Sequence, residues 1–159
     1  MNFSKLITSV LLIASSMACS KSDNNDTVTP SVNATMSAQI NGQAFNTTSA
    51  LSTFTKATKD LTVTGSDANH QVGFTLVNFS GPATVALEDR LSGKSTGSYL
   101  DVKTTTMYTI QGGRTGTVTV TRFANDVIEG TFSLKTYNSG DKKEFTVTNG
   151  QFKLPVANL

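Results

Sequence analysis

The chain has 159 residues and a formal charge of +2, from 13 Lys and Arg against 11 Asp and Glu. This balance, without long basic or acidic runs, is neither the electrostatic footprint of a nucleic-acid binder nor the surface of an acidic solvating tail. A single Cys and a single His exclude a disulfide framework, a thiolate metal site and a His-based metal cluster.

The amino end reads as an address. Lys5 precedes an apolar run from Leu6 to Ala14, and Ser15-Ser16-Met17-Ala18 leads into Cys19. A positive end, a short apolar core and a small residue before the cut make a secretory signal peptide. A membrane span needs about 20 apolar residues. The stretch from Leu6 to Ala18 is shorter and is broken by Thr8, Ser9, Ser15 and Ser16. A cysteine directly after the cut is where a bacterial lipoprotein receives its thioether-linked diacylglycerol. Residues 1–18 are therefore expected to be a lipoprotein signal peptide, and Cys19 the lipidated residue. Ser16 stands where an aliphatic residue is usual, and this relaxed box resembles that of Bacteroidota lipoproteins. Lys21, Asp23 and Asp26 resemble the lysine-and-acid export signal of those proteins, which directs them to the outer face of the outer membrane. A plain hydrophilic spacer is the competing reading. Asp26-Thr27-Val28 resembles a Bacteroidota O-glycosylation motif at Thr27, against an unmodified linker threonine. The polar stretch from Asn24 to Ala34 lacks hydrophobic periodicity, so residues 19–35 are read as the lipidated cysteine and a flexible tether.

Residues 36–159 are read as a single all-β domain. Met36, Ala38 and Ile40 alternate with polar residues, the period of a half-buried strand. Asn41-Gly42 is a strong hairpin turn, since both residues tolerate positive φ, and Gln43 to Asn46 returns. Leu51 to Lys56 and Leu61 to Thr64 are further strands. Gln71 to Phe79 is the most apolar, with Val72, Phe74 and Leu76 on one face, and is expected to be central. Gly81-Pro82 breaks the chain before a short edge strand, Ala83 to Leu87, where proline at the start fits its missing N–H. Residues 88 to 105 read mostly as loop, with Ser98 to Leu100 as a brief strand. Met107 to Ile110 precedes a turn at Gly112-Gly113.

The carboxyl third is the clearest. Thr117 to Thr121 alternates strictly, Asn125-Asp126 turns, and Val127 to Thr136 puts Ile128, Gly130, Phe132 and Leu134 inward. After the turn at 137–141, Phe145 and Val147 point inward on odd positions, then Phe152 and Leu154 on even ones. A one-residue change of phase at Asn149-Gly150 predicts a β-bulge. Short strands with regular turn signals imply an antiparallel β-sandwich or flattened barrel of about eight to ten strands. The segments Met36–Gly42, Gly130–Leu134 and Val147–Phe152 resemble a family of small Bacteroidota lipoproteins known only as a domain of unknown function. The resemblance covers about 36 to 156 and implies fold and compartment, with no activity.

Chemical motifs fall away in turn. His70 follows Asp67-Ala68-Asn69 and reads as an exposed turn residue. Glu88 and Asp89 are adjacent, which in a strand would point them to opposite faces, against glycosidase geometry. Asp67 with Asn69, and Asn138 with Asp141, lack the acid density of a calcium loop. The run Gly112-Gly113-Arg114-Thr115-Gly116 lacks the Gly-Lys-Ser/Thr ending of a phosphate loop. No serine sits in a Gly-x-Ser-x-Gly context. With no Trp, the amphipathic rings are Tyr99, Tyr108 and Tyr137. Tyr137, read at a turn, is the best ligand-contact candidate, against ordinary packing. The expected protein is a monomeric, non-enzymatic outer-membrane lipoprotein without metal or cofactor, held to the membrane through Cys19. Its β-domain, displayed at the cell surface, binds an extracellular protein or glycan. The alternatives are a structural envelope component, or a barrel carrying an apolar ligand in a cavity lined by Phe74, Val118 and Phe132.

Overall fold

Period-two alternation along residues 32–159, the part that the computed structural model describes, becomes eleven strands. They are β1 (Thr35–Ile40), β2 (Gln43–Thr47), β3 (Ala50–Thr55), β4 (Asp60–Ser66), β5 (His70–Leu76), β6 (Ala83–Leu87), β7 (Thr96–Asp101), β8 (Thr106–Thr109), β9 (Gly116–Ala124), β10 (Val127–Asn138) and β11 (Lys143–Asn158). A single 3-10 turn, Arg90–Ser92, interrupts the β6–β7 connection. The two-residue turns are built on positive φ, as tight hairpins require. Asn41 and Gly42 sit at 49° and 82°, and Asn125 and Asp126 at 53° and 55°.

All the strands belong to one hydrogen-bonded sheet, in the order β2-β1-β11-β3-β4-β5-β7-β8-β10-β9-β6, and β10 also pairs with β11. That last pairing folds the sheet back on itself. One wall is β2-β1-β11-β10-β9-β6, the other β3-β4-β5-β7-β8. The walls join at two seams. At one, Val156 to Asn158 of β11 run parallel to Ser52 to Phe54 of β3. At the other, Tyr137 of β10 meets Thr109 of β8. The architecture is a sandwich closed into a flattened barrel, with eleven strands where eight to ten were expected. One pair is parallel, and the β10–β11 hairpin strands are long, at 12 and 16 residues. Pro155 sits in β11 between Lys153, the last partner of β1, and Val156, the first partner of β3. Its missing N–H falls where the neighbour changes, and its carbonyl accepts from Ser52 Oγ at 2.7 Å.

The predicted edge strand is β6, at one end of the order, and β5 lies inside its wall between β4 and β7. The undecided region holds a full interior strand, β7, between β5 and β8. Its Thr-Gly-Ser start is weak locally, and tertiary pairing overrides it. The predicted bulge is present. Two steps along β10, from Phe132 to Leu134, match three along β11, from Gly150 to Val147. Asn149 there has φ 53°.

Inward residues from both walls form one core, with Leu61, Val63, Val72, Leu76, Leu87, Ile110, Val118, Ile128, Val147 and Leu154 fully buried. Three aromatic groups lie along it. Phe74, Phe132 and Phe152 meet in the middle, with Phe74 5.6 Å and 5.4 Å from the other two. Tyr99, Tyr108 and Phe145 form a second group, Phe145 lying 4.4 Å and 4.6 Å from the tyrosines. Phe54, Phe79 and Phe123 form the third, with Phe79 and Phe123 5.0 Å apart. Each ring of the middle group has a glycine as its cross-strand partner. Phe132 faces Gly150, Phe152 faces Gly130, and Phe74 faces Gly97. A Cβ on Gly150 would lie 2.5 Å from the Phe132 ring, and one on Gly130 2.7 Å from the Phe152 ring.

Three substitutions test this packing by denaturant melts. Phe132→Ala should cost about 3–5 kcal/mol through lost burial and a residual cavity. Thr131→Ala, exposed on the other face, should cost less than about 1 kcal/mol. Gly150→Ala should cost at least about 1–3 kcal/mol, because its Cβ would press on both the Phe132 ring and the Phe132 carbonyl. A larger loss for Thr131→Ala than for Phe132→Ala would reverse the assigned faces.

Candidate functional site

Cys19, Lys21, Asp23, Asp26 and Thr27 lie outside the described residues. Tyr137 is placed, and not at a turn. The β10–β11 ladder runs past it, pairing Tyr137 with Glu144 and Asn138 with Lys143, so it is a strand residue. Its half-buried ring lies under the Arg114 guanidinium, 4.1 Å from the centroid. Gly112 and Gly113, both at positive φ, form the predicted turn that delivers Arg114. Arg114 also pairs with Glu144 at 3.1 Å, and Lys135 reaches the same carboxylate at 3.2 Å. Those two cations, Arg114 first, hold the Glu144 carboxyl below its ordinary range. One face of Tyr137 is thus taken by a cation–π contact and is closed to a sugar ring.

The other two tyrosines are core residues. Tyr99 and Tyr108 are 1% and 2% exposed, and each phenol has a partner, as buried phenols need. Tyr99 Oη lies 2.8 Å from His70 Nδ1. This corrects the reading of His70 as a free turn residue. It is half-buried and opens β5, and the backbone N–H groups of Asn69 and His70 both donate to Asp67 Oδ1 at 2.7 Å. Tyr108 donates to Asp141 Oδ2. Burial pushes the Tyr99 phenol up to about 12, with Asp101 and Asp67 adding. Burial, then the Asp141 hydrogen bond, pushes Tyr108 up to about 12. The same hydrogen bond holds Asp141 below its ordinary range.

The acids weighed as ligands have structural partners. Asp67 and Asn138 cap turns with their side-chain oxygens. Asp89 Oδ1 accepts from the Leu91 N–H to start the 3-10 turn, and Glu88 pairs with Lys94 at 2.9 Å. Among the described residues no group of three or more His, Cys, Asp or Glu is placed to hold a metal ion.

The space that an apolar carrier would need between the walls is occupied by Phe74, Phe132 and Phe152. Depressions open on the outer surface of the described residues. The six-stranded wall carries a polar row one residue per strand, Thr84-Thr119-Thr131-Gln151-Ser37-Asn46, each in register with the next. Two shallow depressions of about 380 and 530 Å³ share Thr131 and Gln151 of that row. Glu129, at the end of the first, is held between Lys153 at 3.0 Å and Arg122 at 3.2 Å. Its carboxyl is lowered, chiefly by the Lys153 hydrogen bond. Both cations here are therefore paired to one carboxylate, with one positive charge in excess. A third depression of about 430 Å³ follows β6 beside Val77 and Asn78. Sequence reasoning missed these surfaces, because they depend on which strands become neighbours.

The tyrosines give a pH test. A phenol whose folded pKa is raised contributes fully below its unfolded value, near 10, and loses that contribution as pH climbs toward 12. Denaturant stability should therefore fall between about pH 10 and 12, and fall less in Tyr108→Phe. The same variant should let the Asp141 carboxyl titrate closer to its ordinary range, read by carbon NMR. An Asp141 titration unchanged in Tyr108→Phe would contradict the assignment.

The family model described as "Domain of unknown function (DUF6252)" matches residues 32–154. No curated protein and no solved structure matches the chain. The matched span begins just before β1 and ends within β11, so it takes in every strand of both walls. The chain belongs to this family, DUF6252.

Proposed function

We propose that this protein is a lipid-anchored outer-membrane lipoprotein whose β-domain is a non-enzymatic binding module displayed outside the cell. The observation that carries the anchor is the position of the only cysteine, Cys19, directly behind a short apolar run and ahead of a polar stretch. Two acyl chains or more on such a cysteine give stable attachment, where one chain is marginal. Two structural features support a binding module. The interior is filled by aromatic rings, which favours recognition on a face over carriage in a lumen. The outer faces carry in-register hydroxyl and amide side chains, a chemistry suited to polar extracellular partners. Among the described residues, Asp67, Asp89, Glu88, Glu129 and Glu144 are engaged in caps and ion pairs.

Cys19→Ala should abolish acyl labelling and release the protein from membranes or leave it unprocessed. Retention in the membrane fraction after a carbonate wash would overturn the anchor. Changing Lys21, Asp23 and Asp26 together to Ala should hide the domain from protease added to intact cells. Undiminished cleavage would reduce those residues to a spacer. Arrays of extracellular glycans and proteins, probed with the protein, test the binding role itself.

A further inference from the structure

We propose that the outer face of the five-stranded wall is a groove for an acidic glycan, with Arg90 receiving a uronate carboxylate and the row Thr64-Ser98-Thr109 receiving ring hydroxyls. This deepens the binding reading above and rests on it.

The groove follows from one glycine. Val72 and Phe74 point into the core, so Gly73 between them faces out. In register across four strands lie Thr64, Gly73, Ser98 and Thr109. At about 4.8 Å per strand the row is about 14 Å across. With hydrogen in place of a side chain at 73, it is a trough. Two adjoining depressions of about 240 and 210 Å³ share Arg90, Met107 and Thr109. Taken together they enter the size range of small-ligand sites, roughly 300–1,000 Å³.

Hydroxyls in this trough differ from their neighbours. In the adjacent row, Thr62 and Thr75 bond each other at 3.2 Å, and Thr96 donates to the Glu88 carbonyl at 2.9 Å. Thr64, Ser98 and Thr109 make no side-chain hydrogen bond among the described residues. Thr109 is the telling member, at only 9% exposed. A buried hydroxyl usually finds a partner. No polar side-chain atom among the described residues is sealed away without one, so the Thr109 hydroxyl opens into the trough.

Arg90 supplies the charge. It stands exposed in the 3-10 turn, which Asp89 caps. Its backbone N–H donates to the Ile110 carbonyl at 3.2 Å, which fixes the turn against the end of β8. The guanidinium has no ion pair among the described residues, and no Asp or Glu lines either depression. The opposite wall differs, since Arg122 and Lys153 there both pair with Glu129. A guanidinium binds a carboxylate in a bidentate fork, and Met107, 51% exposed, offers an apolar surface to the C–H face of a sugar. A peptide partner would call for a deep apolar pocket for an anchor side chain, which this trough lacks.

The test is calorimetric titration of the full-length chain in detergent micelles. The probes are oligomers of galacturonate, guluronate and glucuronate, each beside its methyl-esterified form. At least one acid should bind saturably, and its ester should bind at least about tenfold more weakly, the scale of a lost charge-assisted hydrogen bond. Arg90→Ala should weaken the acid by a similar factor, with Arg90→Lys between. Thr109→Val, nearly isosteric, should weaken binding severalfold with the melting temperature kept. Lys56→Ala, which removes the same charge outside the trough, should bind normally. Failure of all three acids, equal binding of acid and ester, or full binding by both Arg90→Ala and Thr109→Val would overturn the groove. Array binding that persists in those variants would overturn the groove alone and leave the binding module standing.

Discussion

The structure turns on two cross-strand pairs in which a phenylalanine ring lies over a glycine. On β10 and β11 the pairs are reciprocal, Phe132 over Gly150 and Phe152 over Gly130. Phe74 from the opposite wall rests against both rings and faces its own glycine, Gly97. Gly130 and Gly150 give up side-chain volume and conformational economy, and the neighbouring ring takes the space. The rings can lie flat on the sheet only because nothing projects beneath them. That brings the two walls close enough for one ring from each side to fill the gap. Any side chain at 130 or 150 would lift a ring and part the walls locally.

Closeness of the walls follows from the hairpin that carries two of these pairs. β10 and β11 are long enough to serve both walls, and each changes its outer neighbour partway along. On β11 the change, from β1 to β3, falls at Pro155, which has no N–H to leave unpaired. On β10, β9 gives way to β8 at Tyr137. Both seams are narrow, one of three residue pairs and the other of one. The aromatic groups brace the interior behind them, with Phe145 between Tyr99 and Tyr108, and Phe123 between Phe54 and Phe79. Between these braces the rings of Phe74, Phe132 and Phe152 occupy the middle of the interior.

Much of this was legible in the sequence because alternation is local. The first hairpin, the β9–β10–β11 meander, the inward set of β10, the edge position of β6 and the bulge at Asn149 all follow from residue spacing and turn residues. The bulge is a good case: the apolar set changes from odd to even positions, and only one extra residue explains that. Features that depend on long-range pairing were not legible. Thr96-Gly97-Ser98 has no local strand signal, yet β7 is an interior strand, and Gly97 leaves the space that Leu87 and Leu134 fill. His70 looked exposed beside Asp67 and Asn69, and only the pairing of β5 with β7 sets it against Tyr99. Tyr137 looked free at a turn until the ladder continued past it and Arg114, 23 residues earlier in the sequence, came to cover its ring.

The two outer faces share a composition but differ in electrostatics, and register is the cause. On the six-stranded wall, pairing sets Glu129 beside Lys153 and within reach of Arg122, so both of those cations have an acidic partner. On the five-stranded wall, the row through Gly73 holds no ionisable residue, and the one nearby cation arrives from outside the sheet, on the loop between β6 and β7. That loop joins the two walls. Its backbone bonds tie it to both the start of β7 and the end of β8, through Glu88 to Ser95 and Arg90 to Ile110. The same closure that fills the interior therefore fixes the backbone of Arg90 beside a trough of unengaged hydroxyls. An exposed arginine stays solvated and costs little by itself, so what sets this face apart is the neighbourhood: a guanidinium without an ion pair among the described residues, beside open hydroxyls and with no acid lining the trough.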